Sequence, residues 1–184
     1  MLLDFEIKKA IAATAHLLEL RNGSDDIFFL IKKLYYADRI ALIGWGKTIT
    51  GDSLVSMDSG PVVSTIYDLM KGKGKEENLI LWKDVICKGK GHSFFLRKQA
   101  DKDVLSQREL TALESSHQTI GSIRGKVSDW LHRNCPEWKN PNGSSIPIDP
   151  SQILRLAKKT EGQIKETEQA NEEIRFLNRL LSTS

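Results

Sequence analysis

Apolar residues recur at helical spacing through most of the chain, which predicts a mainly helical protein. The first periodic segment covers residues 4–20 and ends at Asn22-Gly23. Ser24 then has the character of an N-cap, ahead of the segment FFLIKKLYYADRIALI at 28–43. That second segment is apolar around most of its circumference, so we predict that it forms the central helix of the core.

Signals at helix ends predict four further helices. Pro61 suits the first turn of a helix with the sequence VVSTIYDLMKG. This helix ends at the glycine that closes the segment. Ser106 and Glu109 form a capping box that opens the helix ELTALESSHQTIG. A shorter helix carries VSDWLHR, and Asp149-Pro150 cap a long last helix.

Two β-rich runs, LILWKDVI and HSFFLRK, flank the loop CKGKG and predict one β-hairpin. The expected fold class is therefore mainly α (α+β), with a helical domain, one small β-hairpin and a long C-terminal helix. The irregular loop PEWKNPNGSSIPI precedes that helix. We divide the chain into a domain at 1–148 and a C-terminal helix at 149–184, which is packed on the domain or binds a partner.

The net charge of +3 is small, but the positive charge is concentrated in one segment. Residues 71–98 carry seven lysines and one arginine against three acidic residues. Lys73, Lys88 and Lys90 are candidates for contact with an acidic partner or with nucleic acid. The glycine-rich pieces there do not match GxxxxGK[ST], so exposed turns are favoured over a nucleotide site, and nucleic acid is not the expected partner.

Histidine and cysteine patterns give little support for a metal or cofactor. The four histidines show no HExxH or HxxxH spacing, and the two cysteines lie far apart without a CxxC motif. We therefore expect no metal and no cofactor. No apolar run approaches the roughly 18 residues of a membrane span, and the N-terminus lacks a signal-peptide pattern, so a cytoplasmic protein without a membrane partner is expected.

An acid–base doublet, Asp38-Arg39, directly follows two tyrosines on the predicted core helix. Adjacent helix positions point about 100° apart, so the two side chains need partners on other elements. We expect Asp38, Arg39, Thr50 and Asp52 to converge, with an ion pair or a side-chain-to-backbone bond fixing the glycine- and threonine-rich turn before Asp52. The alternative is that the doublet shapes a recognition surface.

The last predicted helix carries an apolar stripe whose position in the core is not evident. Ala170, Ile174, Leu177 and Leu181 recur at coiled-coil-like spacing among charged residues. The stripe either packs on its own domain or docks on another chain. We favour docking on another chain, either a partner protein or a second copy of this one, with Arg175 and Arg179 flanking the stripe.

The motifs LYYADR, TITGD and GPVVS, followed by a Tyr-Asp pair, occur in this order between residues 34 and 68. In order and spacing they resemble the Panacea domain of the SocA-like antitoxin family, and a looser likeness extends the resemblance over roughly residues 5–140. The scaffold residues implied by the resemblance are Tyr36, Asp38, Arg39, Thr50, Gly51, Asp52, Gly60, Pro61, Tyr67, His132 and Trp138.

The resemblance implies a non-enzymatic protein of a bacterial or phage toxin–antitoxin system, with phage defence as a setting. Such a protein neutralises a cognate toxin by direct binding, and a protease that receives the toxin and a homodimer are further candidate partners. Two alternatives remain open. One is a nucleic-acid-binding regulator that uses the lysine-rich hairpin, and the other is a hydrolase that uses Asp38, Asp52 and His132.

Overall fold

The computed structural model describes residues 4–182 and is dominated by helices. Eight helices form in this part of the chain: α1 (Ile7–Glu19), α2 (Ile27–Trp45), α3 (Ser64–Met70), α4 (Glu76–Val85), α5 (Gln107–Gly121), α6 (Val127–Asn134), α7 (Pro150–Leu156) and α8 (Glu161–Ser182). The predicted fold class, mainly α with a small β-hairpin and a long C-terminal helix, is confirmed.

The β structure is more extensive than one hairpin. Its strands are β1 (Ser24–Asp26), β2 (Leu54–Met57), β3 (Gly60–Val63), β4 (Ile86–Lys88), β5 (Ser93–Leu96) and β6 (Ile146–Pro147). They form two three-stranded antiparallel sheets, one in the order β1-β5-β4 and one in the order β3-β2-β6. Consecutive strands make a hairpin in each sheet, so the protein has two hairpins within the described residues.

The core is built around α2, as the sequence predicts. Leu30, Leu34, Tyr35 and Ala41 on this helix are all at most 1% exposed. Both α1 and α5 pack against α2, and α1 contributes a run of buried alanines that permits close approach. Ile153 and Leu154 of α7 also belong to this core cluster, so the chain beyond residue 148 contributes to the same interior.

Residues 79–85 were expected to form the first strand of the lysine-rich hairpin, and this prediction is wrong. The segment belongs to α4, where Trp82 and Val85 lie three positions apart and are buried on one face. Glu76 and Glu77 stand in the first turn, where acidic side chains interact favourably with the helix dipole. Only 86–88 is extended, because from there the chain pairs with β5.

Three other element boundaries differ from the prediction. Ser24 lies in β1, and Asp26 instead caps α2 by accepting a bond from the backbone N of Phe28 at 2.7 Å. Pro61 lies in β3 rather than in the first turn of a helix; β3 is an edge strand, where a missing N–H is tolerated. The predicted single last helix is interrupted near Lys158, which has a φ of 63°, so that Asp149 caps only the short α7.

Within residues 4–182, no helix has both the length and the apolar character needed to cross a membrane.

Candidate functional site

Asp38 joins the middle of α2 to the turn that follows the helix. Its Oδ1 accepts hydrogen bonds from the backbone N of Ile49 at 2.8 Å and of Thr50 at 3.2 Å. Its Oδ2 accepts a bond from the Thr50 hydroxyl at 2.6 Å. Burial raises the pKa of Asp38 to about 7, although these three bonds act in the opposite direction. All three donors are neutral groups. Asp38 therefore makes the expected side-chain-to-backbone bond, and it does not make the ion pair that was the other expected contact.

Asp52 ends the same turn and caps the next helix. Its Oδ1 accepts bonds from the backbone N of Ser53 and Thr65, and its Oδ2 accepts one from Ile66 at 2.8 Å. The backbone N of Asp52 donates to the Thr50 hydroxyl at 3.2 Å, which links the two aspartates through one threonine. Burial also raises the pKa of Asp52, against these bonds. Asp38, Thr50 and Asp52 therefore form a single bracing unit, which we call the turn brace.

Arg39 does not join the turn brace, and its expected convergence there is wrong. Its Nε donates to Glu137 Oε1 at 2.6 Å, and the Tyr35 hydroxyl donates to the same oxygen at 2.5 Å. The Glu137 side chain is completely buried. Burial, followed by the nearby Glu137 carboxylate, raises the pKa of Tyr35. This buried triad ties α2 to the loop after α6.

Glu137 was missed by the sequence reasoning. It lies in the irregular PEWKNPNG segment, 102 residues along the chain from Tyr35. A single carboxylate in a loop gives no periodic or spacing signal, and its partners are known only from the fold.

Lys32 is a second buried polar group that the sequence reasoning did not single out. Its Nζ donates to the carbonyl oxygens of Gly60 at 2.8 Å and Pro61 at 3.1 Å, and burial lowers its pKa to about 7. Gly60 has a φ of 102°, and an added Cβ would lie 3.5 Å from Leu131. Gly60 thus combines a positive φ with a close neighbouring side chain.

His132 and Trp138 stack on each other instead of facing a reaction centre. Their ring centroids lie 3.6 Å apart with an interplanar angle of 14°. The Trp138 Nε1 donates to the backbone O of Met57 at 2.8 Å, which connects this pair to β2. Tyr36 meets the ring of Trp130 edge-to-face at 5.6 Å. These aromatic contacts fasten α6 and the following loop to the rest of the domain.

The three side chains of the hydrolase alternative are thus held in structural contacts. Both carboxylates, Asp38 and Asp52, accept bonds from backbone amides, and His132 lies against a tryptophan ring. Burial lowers the pKa of His132, so the ring is disfavoured as a cation. Within residues 4–182, no group of three or more His, Cys, Asp or Glu side chains is arranged to hold a metal ion.

The first half of α8 is seated on the body of the domain. Ile164 is 1% exposed, and Asn171 Nδ2 donates to the backbone O of Gly46 at 2.8 Å. Gly46 ends α2 with a φ of 81°, and a Cβ added there would lie only 2.9 Å from Thr167 Cγ2. The absence of a side chain at Gly46 therefore permits the close approach of α8. Arg175 makes a further ion pair with Asp4 at 3.4 Å.

The second half of α8 presents apolar side chains to solvent. Phe176, Leu177 and Leu181 are 63%, 56% and 78% exposed. We call these three residues the α8 stripe. Of the predicted partner-binding residues, Leu177 and Leu181 belong to it, Arg179 is exposed beside it, and Ile174 is half-buried against the body. Phe176 was missed, although its place next to Leu177 in a periodic segment could have indicated it.

The lysine candidates are exposed but are not gathered into one site. Lys88 lines a small groove of about 180 Å³ together with Lys71 and Lys83. Lys73 and Lys90 are exposed and are not among the residues that line it. The lysine-rich region thus carries positive charge over a broad surface, and of the three candidate lysines Lys88 alone lines this groove.

Comparison with protein-family models matches residues 30–139 to the family described as antitoxin SocA-like, Panacea domain. The matched region contains the turn brace, the buried triad and the stacked His132–Trp138 pair, and it ends before α7 and α8. Comparisons with curated proteins and with solved structures give no significant match.

Proposed function

This chain belongs to the SocA-like antitoxin family through its Panacea domain, and from that premise we propose that it neutralises a cognate protein toxin by binding it directly. The neutralising step is physical association through an exposed surface and involves no reaction catalysed by this chain. The roles of the turn brace and of the buried triad are to keep that surface in place.

The observation that carries the proposal is the exposure of the α8 stripe. Phe176, Leu177 and Leu181 are large apolar side chains on one end of a helix, and each is more than half exposed. A helix that presents spaced apolar anchors is a common element of helix-in-groove recognition. The stripe also lies beyond residue 139, where the family match ends, so it can differ between family members that share the scaffold.

The seating of α8 supports the same role. Asn171 bonds to the C-terminal end of α2, and Arg175 pairs with Asp4, directly ahead of the stripe. A helix that is already held on its domain loses less conformational freedom on binding than a loose segment does. Stable association requires about 800 Å² of buried surface per partner. We propose that the stripe is the centre of this interface and that Arg179 lies in its polar rim.

The test is co-expression with the product of the neighbouring reading frame, once that product is shown to stop growth alone. A chain lacking residues 176–184 retains Ile164, Asn171 and Arg175, so it should fold with an almost unchanged midpoint of thermal unfolding. It should nevertheless fail to restore growth. The double variant Leu177→Asp, Leu181→Asp should behave in the same way.

Lys165→Asp is the matched control, because it places the same side chain at an exposed position in the first half of α8. This control should protect cells as well as the unchanged chain does. Full protection by the truncated chain would contradict the proposal. Unfolding of the truncated chain would also contradict it, because the stripe would then be part of the core, and the lysine-rich region would become the stronger surface.

Two finer forms of the proposal differ in what happens to the toxin. In simple occlusion, the toxin accumulates in a complex with this chain, whereas delivery to a protease lowers the amount of toxin. Immunoblotting of tagged toxin after synthesis is stopped separates these forms. A homodimer that covers the α8 stripe in the absence of toxin would appear in size-exclusion chromatography, and the double Asp variant would convert it to a monomer.

A further inference from the structure

A groove of about 810 Å³ lies near the start of α2, at the other end of that helix from Gly46 and the seat of α8. Its walls are the first turns of α2, the C-terminal end of α5, the loop at 122–126 and the beginning of α6. This volume is within the range of about 300–1,000 Å³ that is usual for binding sites. None of the proposed α8 contacts uses this surface.

The floor of the groove is apolar. Phe28, Phe29, Ile120, Ile123 and Val127 line it. Phe29 is 39% exposed, and its ring meets that of Phe28 edge-to-face with centroids 5.3 Å apart. An aromatic side chain that remains open to solvent beside other apolar residues is a favourable surface for a bulky apolar group.

Two of the residues that line the groove are glycines at which a side chain would face open space. Gly121 ends α5, Gly125 has a φ of 108°, and an added Cβ at either position would meet no atom within 4 Å. Ser122 follows Gly121, so this part of the edge is built from small residues, next to Ile123 and Lys126. An extended segment of another chain can therefore approach the floor from this side without displacing large side chains.

The charged side chains around the floor of the groove have a net positive charge. The buried pair Lys33–Asp25, with Nζ and Oδ2 2.5 Å apart, is internally compensated. Arg21 is 58% exposed and lies at the longer distance of 3.9 Å from Asp25, and Lys126 is exposed at the edge. Three cations, Arg21, Lys33 and Lys126, thus stand against one anion, Asp25, among the residues that line the groove. His117 Nδ1 is buried there without a hydrogen-bond partner among the described residues.

We infer that this groove binds a segment of a partner protein in which a bulky apolar side chain stands between acidic residues. The apolar side chain fills the floor next to Phe29. The flanking carboxylates pair with Arg21 and Lys126, for which charge complementarity sets the preference. Nucleic acid fits less well, because its affinity depends on many phosphate contacts and this groove offers two exposed cations around an apolar floor.

Fluorescence anisotropy with three labelled peptides tests the inference on the full chain. The probes are GEDLWEDG, its basic counterpart GKRLWKRG and its polar counterpart GEDSSEDG. At low ionic strength the first peptide should bind with a Kd at least 10-fold lower than either of the others. A labelled dT12 oligonucleotide that binds as tightly as GEDLWEDG would overturn the inference, because the groove would then act as a general polyanion site.

Gly121→Trp provides a blocking variant, since Gly121 lines the groove and a Cβ added there meets no atom within 4 Å, which leaves room for the indole ring. It should raise the Kd for GEDLWEDG at least 10-fold. Gly162→Trp is the control: it changes the same residue type at an exposed helical position of α8, which does not line the groove. This control should leave the Kd unchanged.

A charge exchange tests the preference for acidic peptides in a way that does not require the Gly121→Trp variant to fold. Arg21→Glu combined with Lys126→Glu alters two exposed side chains, and it should make GKRLWKRG bind more tightly than GEDLWEDG. Binding that survives Gly121→Trp, or a preference that does not reverse, would overturn the inference. A chain lacking residues 176–184 should still bind GEDLWEDG, so a failure of the toxin-binding proposal and a failure of this one give different results.

Discussion

The turn brace sets two physical effects against each other at a single carboxylate, and replacing Asp38 by Asn measures which effect is larger. Burial favours the protonated side chain, whereas the bonds from Ile49 and Thr50 favour the ionised one. The net result is a pKa of about 7 for Asp38 in the folded chain, above the ordinary value of 3.8. Asn reproduces the protonated form, because it has one acceptor for the backbone amides and one donor for the Thr50 hydroxyl oxygen.

The raised pKa fixes the sign and the size of the effect. The contribution of Asp38 to stability is fully present below about pH 3.8 and is lost as the pH rises through about 7. Between these two values the free energy of unfolding changes by up to about 1.4 kcal/mol per pH unit. Lowering the pH from 7 to 5 should therefore stabilise the unchanged protein by about 2 kcal/mol relative to Asp38→Asn.

The assay is urea unfolding of both proteins at pH 5, 6, 7 and 8, followed by circular dichroism. Titrating groups that do not contact the brace, such as Lys32, are common to the two proteins, so the difference between them reports Asp38 together with its coupling to Asp52. A difference in unfolding free energy that stays constant over this range would refute the reasoning. The carboxylate would then be ionised throughout, and its three hydrogen bonds would outweigh its burial.

Two further predictions concern the contacts on either side of the brace. Gly46→Ala forces a side chain into a φ of 81° and within 2.9 Å of Thr167 Cγ2, so we expect a loss of about 1–2 kcal/mol in urea unfolding. Adding Thr167→Ser should recover part of that loss, and an unchanged stability would show that α8 is not seated there. Glu137→Ala leaves Arg39 and the Tyr35 hydroxyl without their buried acceptor and should cost about 3–5 kcal/mol. Glu137→Gln keeps one acceptor oxygen and should cost less, whereas a loss below about 1 kcal/mol for Ala would contradict the buried ion pair.

Features encoded within a few residues were predictable from the sequence. The capping box of Ser106 and Glu109 is present, with the Ser106 backbone N donating to Glu109 Oε2 at 2.7 Å. The positive φ of Gly60 is also present. In each case the residue types alone specify the local backbone geometry, so no knowledge of the tertiary fold was required.

Features that depend on distant partners were predicted less well. The segment 79–85 has high β propensity, but burial of Trp82 and Val85 on one face selects a helix. Arg39 pairs with a residue 98 positions away, a distance at which spacing along the chain carries no information about contact. The apolar spacing of the last helix is evident from the sequence. The division of α8 into a seated half and an exposed half is not, because it depends on Gly46 at the end of another helix.

The same division of α8 bears on how recognition can change during evolution. Substitutions at exposed positions away from structural features usually alter stability by less than about 0.5 kcal/mol. Phe176, Leu177 and Leu181 are such positions, whereas Asn171 and Ile164 are constrained by the body. Most mutants at the tip of α8 should therefore remain folded while they sample new surfaces. A lineage can in this way follow a changing partner, or be diversified in a laboratory library, without first acquiring compensating changes in its core.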